Sequence, residues 1–333
     1  MRAWKSLLAA MIIGVSGLGS AAAEPVKMRI GWANMPSHMI PVLFSKPEIL
    51  KHYGASYTVE PFAFKGSTPQ ISALAANQID ITTMSPSGLA LAVQNANLDL
   101  VMFADVYQEH ADHKIMYMLV KKDGPIRTPA DLKGKRVATN VQGSALDILV
   151  RTMLAKAGLD PARDVNLIEV RFPEAPAMLA EGKVDFAPVV PPFASRLIET
   201  GEYRELADST EVQGGLAQLV FLAAKRGFIE ENREAMADFT EDYIRAVRWF
   251  SDEANRDEAL KIVADYMQVP VERVSTQFTK DDFFREQFGV PNIEGAQLAI
   301  DGARDAGVLQ RDFRIDGHVD LSLVEEARNR IGQ

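Results

Sequence analysis

The chain has 333 residues, 47% hydrophobic and 24% charged, with a formal net charge of −9. That length and composition suit a folded protein with two cores, and the acidic balance, with no run rich in Lys or Arg, excludes a nucleic-acid binder. Cysteine is absent, which removes thiol catalysis, disulfides, thiolate metal sites and a lipid-modified N-terminal cysteine together.

Residues 1–23 read as a secretory signal peptide. Arg2 and Lys5 precede an apolar run from Leu7 to Val15, and "SAAAE" places Ala21 and Ala23 for cleavage after Ala23. The apolar run is too short to span a bilayer. Loss of Arg2 and Lys5 takes the formal charge from −9 to −11. An exported, unanchored, cysteine-free chain is expected in a Gram-negative periplasm.

From Val26 the chain alternates β-like and helical runs. "VKMRIGWA" is a strand, followed after Pro41 by a helix-like stretch to Tyr53, and "SYTVEPFAF" is a second strand. "GSTPQISALAANQ" opens a helix with Ser67 or Thr68 as N-cap. "IDITTM" is a third strand, "SPSGLALAVQNA" a helix with Ser85 as cap and Pro86 in first position, and "LDLVMFADV" a fourth strand. After the long run "HKIMYMLVKKD" the alternation restarts: strand 136–140, helix 143–157, strand 166–170, helix 174–181, strand 184–190, then the helix "PPFASRLIETG". A second long run, "GLAQLVFLAAKRG", is followed by amphipathic helices to the C-terminus.

This pattern predicts a mainly parallel sheet in each half, covered on both faces. The expected fold is α/β with two lobes. Residues 24–120 and 226–333 form the first and 121–225 the second. Two crossover strands join the lobes, with a hinge near Met116–Lys121 and Leu219–Lys225, and the helical tail returns to the first lobe. Ligands of open α/β sheets sit beyond the carboxyl ends of strands, so two such lobes enclose a cleft.

The stretch "VATNVQGSALDILVR" is a strand, a tight turn and a helix start at Gly143 and Ser144. Helix starts of this kind hold anions on free backbone N–H groups, yet no lysine follows as a nucleotide loop requires. Serine-hydrolase, zinc-protease and dinucleotide motifs are absent too, so no enzyme activity and no cofactor are expected. His110 and His113 in "EHADH" lack a third ligand, and no metal is expected.

The segments "IGWANMPSH", "FKGSTPQISALAANQIDITTMSPSG", "IRTPADLKGKRVATNVQGSALDILVRTMLAKAGLD" and "PAMLAEGKVDFAPVVPPF" resemble the nitrate/sulfonate/taurine-type substrate-binding proteins of ABC importers. Thiamine-pyrimidine-type binding proteins share that fold. The resemblance runs from Met28 to Thr200. It implies a class II periplasmic binding protein, a monomer that closes on a small organic anion and docks on an inner-membrane permease.

Matching the family's ligand loops gives Trp32, Asn34 and Met35; Gly66, Ser67 and Thr68; Ser85, Pro86 and Ser87; Gln142, Gly143 and Ser144; Phe172; and Pro192 with Phe193. To these the residues themselves add His38, a donor in the first loop, and Arg171, a bidentate clamp at a strand end. "VVPPF" lacks the acidic residue that some relatives carry there. This favours a sulfonate or carboxylate with an apolar or aromatic body over an amino acid such as taurine; a pyrimidine or other heterocycle, bound or turned over, is the alternative.

Overall fold

The computed structural model describes residues 24–33, 37–171, 173–190, 193–275 and 286–332. The expected signal peptide, Asn34, Met35, Phe172 and Pro192 lie outside them. The strands are β1 (Val26–Trp32), β2 (Tyr57–Ala63), β3 (Ile81–Met84), β4 (Leu100–Gln108), β5 (Tyr117–Lys121), β6 (Arg136–Thr139), β7 (Asn166–Glu169), β8 (Ala187–Val189), β9 (Tyr203–Asp208) and β10 (Gln218–Lys225). The helices are α1 (Ile40–Leu43), α2 (Ser67–Ala75), α3 (Pro86–Ala96), α4 (Ala145–Lys156), α5 (Ala175–Ala180), α6 (Phe193–Glu199), α7 (Ser209–Gln213), α8 (Arg226–Glu231), α9 (Arg233–Ser251), α10 (Arg256–Met267), α11 (Val271–Val274), α12 (Ile293–Asp305) and α13 (Ser322–Ile331).

The first sheet runs β2-β1-β3-β10-β4. β1 is parallel to β2 and β3, and β10 is antiparallel to both its neighbours. In the second lobe β8-β5-β9 are antiparallel and β6-β7 parallel. Two backbone bonds join these halves: Ala138 donates to the Phe186 carbonyl at 2.9 Å and Asp185 to the Arg136 carbonyl at 2.8 Å. The combined order, β7-β6-β8-β5-β9, repeats the first sheet's plan, with one antiparallel strand in the fourth place.

β4 and β10 are apolar almost end to end and almost wholly buried. Continuous apolar runs of this kind belong to strands covered on both faces. This also explains why the long runs do not themselves cross between the lobes: β5 pairs inside the second sheet and β10 inside the first. The chain crosses just before each of them, on 109–116 and 209–217. Glu109 ties the two crossings. Its N–H donates to the Ala217 carbonyl at 2.8 Å, and its carboxylate accepts the Ala217 N–H at 3.1 Å and the Ser209 hydroxyl at 3.3 Å.

The tail returns to the first sheet through α9, whose Phe239 stacks on Phe44 at 5.3 Å and whose Tyr243 hydroxyl donates to the Asp105 carbonyl at 2.7 Å. α12 reaches further than expected. It packs on α3 and also on α4, where the Thr152 hydroxyl donates to the Gly302 carbonyl at 3.2 Å.

Candidate functional site

Two helix starts meet in the first lobe. α2 is capped by Gly66, at φ +149°, and not by Ser67 or Thr68, which take the first two helical positions. Only glycine adopts that backbone readily, so the cap has no side chain and the Ser67 and Thr68 N–H groups are left without an intrahelical acceptor. α3 starts as its sequence predicts. Ser85 Oγ accepts the Gly88 N–H at 3.2 Å, lies 3.2 Å from Ser87 Oγ, and Pro86 follows. Ser67 rests on Gly88, where an added Cβ would stand 3.1 Å from the serine Cβ. Both Ser85 and Ser87 are buried, whereas Thr68 is exposed.

The start of α4 is built differently. Ser144 Oγ accepts the Asp147 N–H at 3.3 Å, an ordinary cap. Gly143 turns at φ +79°, and its N–H is not open to a ligand in this arrangement. It donates to Asp147 Oδ2 at 2.9 Å. The Asp147 side chain is fully buried and also accepts from Thr139 Oγ1 at 2.9 Å and Arg151 Nε at 2.8 Å. An anion does sit on this helix start, and it is the chain's own carboxylate. Ser144-x-x-Asp147 has the spacing of a capping box, the signal that sequence reading passed over.

α3 and α4 face each other across a cavity of about 20 Å³, lined by Pro86, Ser87, Ala145, Ile148, Leu298 and Gly302 among others. This is room for about one water molecule. Gln142, in the loop before α4, is exposed.

Other expected residues are placed elsewhere. His38 is buried, with Nδ1 accepting the Ala33 N–H at 3.2 Å and standing 2.6 Å from Thr83 Oγ1. Since a backbone N–H only donates, Nδ1 carries the lone pair, the Thr83 hydroxyl donates, and the ring proton is on Nε2. His38 therefore anchors the first loop to β3, and Nδ1 is not an anion donor. The Arg171 side chain is 83% exposed and 3.7 Å from Glu174. Trp32 is buried at the end of β1, edge to face with Tyr266 at 6.2 Å. Phe193 opens α6 and packs against the apolar core of the second lobe.

Residues 21–264 match the model of the NMT1-like family. The chain belongs to that family. It is 28% identical over 277 residues to a putative aliphatic sulfonates-binding protein of Escherichia coli (strain K12), covering 81% of each chain. Among solved structures it resembles the alkanesulfonate-binding protein SsuA from Xanthomonas axonopodis pv. citri bound to MOPS, at 24% identity and TM-score 0.65, over 90% of this chain and 100% of that one. It also resembles the nitrate-binding protein NrtA from Synechocystis PCC 6803, at 14% identity and TM-score 0.68, over 93% and 90%. The fold is that of the two-lobed periplasmic binding proteins, and the curated relatives it matches are binding proteins. Among the described residues no helix is long and apolar enough to cross a membrane.

Proposed function

We propose that the chain is the periplasmic receptor of an ABC importer for a small organic anion, a sulfonate or carboxylate with an apolar or aromatic body. The observation that carries this reading is the contact between the starts of α2 and α3, where Ser67 lies on Gly88 beside the Ser85–Ser87 pair. These groups are uncharged donors, and α3 faces α4 across the interlobe cavity. Backbone N–H and hydroxyl groups suit an anion that needs no full counter-charge. The sulfonate- and nitrate-binding relatives support the same class.

In this proposal residues 1–23 direct export, the two lobes close about the crossings 109–116 and 209–217, and the closed monomer delivers its ligand to an inner-membrane permease. Closure follows from the ligand's greater affinity for the closed state. A thermal-shift screen of purified mature protein tests it, with butanesulfonate, benzenesulfonate, benzoate, nitrate and uracil. A binding anion at 100 times its Kd adds about 2.7 kcal/mol of stability. Stabilisation by uracil alone, with no response to any anion, would overturn the reading.

A further inference from the structure

We infer that Asp147 restricts the site to ligands bearing a single negative charge. The inference rests on the anion reading above and adds a charge limit to it. Asp147 lies under the 140–144 loop, at the carboxyl end of β6, bonded to Thr139 of that strand and to the Gly143 N–H. This is the end of the strand where α/β sheets hold ligands. In the same helical turn, Ala145 lines the cavity opposite Ser87.

The carboxylate has two effects on that corner. It occupies one of the helix-start donors, so the second lobe offers a ligand less than a bare helix start would. It also fixes a negative charge there with its side chain fully buried, balanced through a single bond to Arg151. Among the described residues no Lys or Arg lines the cavity. Arg171 lies in solvent against Glu174, and Lys65, next to Gly66, is exposed. A monoanion is satisfied by the neutral donors of the first lobe. A second charge finds no countercharge and is repelled by Asp147.

Because Arg151 offsets most of the carboxylate's repulsion, one extra charge on the ligand is expected to weaken binding by about tenfold.

Butanesulfonate and butylphosphonate test the point, because they share a chain length and the phosphonate passes from monoanion to dianion as pH rises. Calorimetric titration of the full mature protein is expected to show both monoanions binding, with the phosphonate about tenfold weaker at alkaline pH. Asp147→Asn narrows that gap. Arg151→Gln widens it, because the charge of Asp147 is then unbalanced. A purely structural role would weaken both ligands equally and leave the ratio unchanged. An unchanged ratio in Asp147→Asn, or in Arg151→Gln should the first variant not fold, overturns the inference while the anion reading stands. Failure of either compound to bind wild type at any pH, with no other anion binding, overturns both.

Discussion

In each lobe an arginine on one strand, Arg29 of β1 or Arg136 of β6, is answered by an aspartate just ahead of a neighbouring strand, β3 or β8. Asp80 accepts the Arg29 N–H at 3.0 Å and its guanidinium at 2.9 and 2.5 Å. Asp185 accepts the Arg136 N–H at 2.9 Å and its guanidinium at 3.0 and 2.8 Å. In both, the aspartate N–H returns 2.8 Å to the arginine carbonyl. The lobes thus share strand order and strand-level fastening. Their surfaces differ: residues 117–217 carry 13 Lys and Arg against 14 Asp and Glu, whereas 24–116 with 218–333 carry 21 against 31. The comparison teaches that the sheet plan constrains a few paired residues closely and leaves charge, and the chemistry of helix starts, free to diverge.

α12 touches both lobes, and its two ends should respond very unequally to one added methyl. At Gly295 a Cβ would stand 2.3 Å from the Leu216 carbonyl and 2.8 Å from the Gln218 N–H, both backbone of the second crossing and the start of β10. Neither can give way without moving the junction between lobes, so Gly295→Ala should cost about 3 kcal/mol. At Gly302 the nearest atom is the Thr152 hydroxyl at 3.3 Å, a side chain that rotates. There the loss should stay below about 1 kcal/mol, partly offset by alanine's helix propensity. Urea denaturation of both variants would break the comparison if their midpoints moved alike.

The two arginine–aspartate pairs sharpen it at intermediate size. The Asp80 side chain is 11% exposed and that of Asp185 is 26% exposed. Asp80→Ala leaves the less exposed arginine with only the Asn77 carbonyl and a strand N–H unanswered, and should cost about 2 kcal/mol. Asp185→Ala should cost less, because water reaches the Arg136 pair. The Arg136 guanidinium holds the Asp185 carboxyl below its ordinary range against the opposing effect of burial. A lowered folded value gives stability that is complete above the unfolded value near 3.9 and is lost as pH falls through the folded one. Asp185→Asn should therefore flatten the acid limb of a stability–pH profile, and an unaltered limb would refute the pair's role.

Much of this was legible in sequence because it is local. Short apolar β-like runs mark the strands, and Ser85-Pro86 and Gly143-Ser144 mark helix starts that form where expected. The cap of α2 falls one or two residues before the expected Ser67 or Thr68, because Gly66 takes a backbone angle open to glycine and caps without a side chain. What stayed hidden is non-local or pre-empted. His38 looks available in sequence until Thr83, forty-five residues on, takes its nitrogen. The bonds from Glu109 to Ala217 and from Arg29 to Asp80 span far more chain than any periodicity reads. Asp147 was visible as a capping residue, but only folding shows that it fills the start proposed for a ligand.

The smallest expected effect lies where the lobes join. Glu109 is 2% exposed, and burial pushes its carboxyl above the ordinary range although the Ala217 and Ile115 N–H groups and Ser209 favour the charged form. Lys114 on the same crossing contributes weakly, engaged with Glu205 at 2.7 Å and Asp208 at 2.6 Å. A carboxyl raised in the folded state has the opposite sign to Asp185. Stability is greatest below the unfolded value near 4.3 and declines as pH rises to the folded one, then levels. Glu109→Gln keeps an acceptor for Ala217 and a partner for Ser209 while removing the charge. It should remain within about 1 kcal/mol of wild type at neutral pH and lose the decline that sets in above the unfolded value. A profile that keeps the decline in Glu109→Gln would assign it to another group and leave the crossing insensitive to protons.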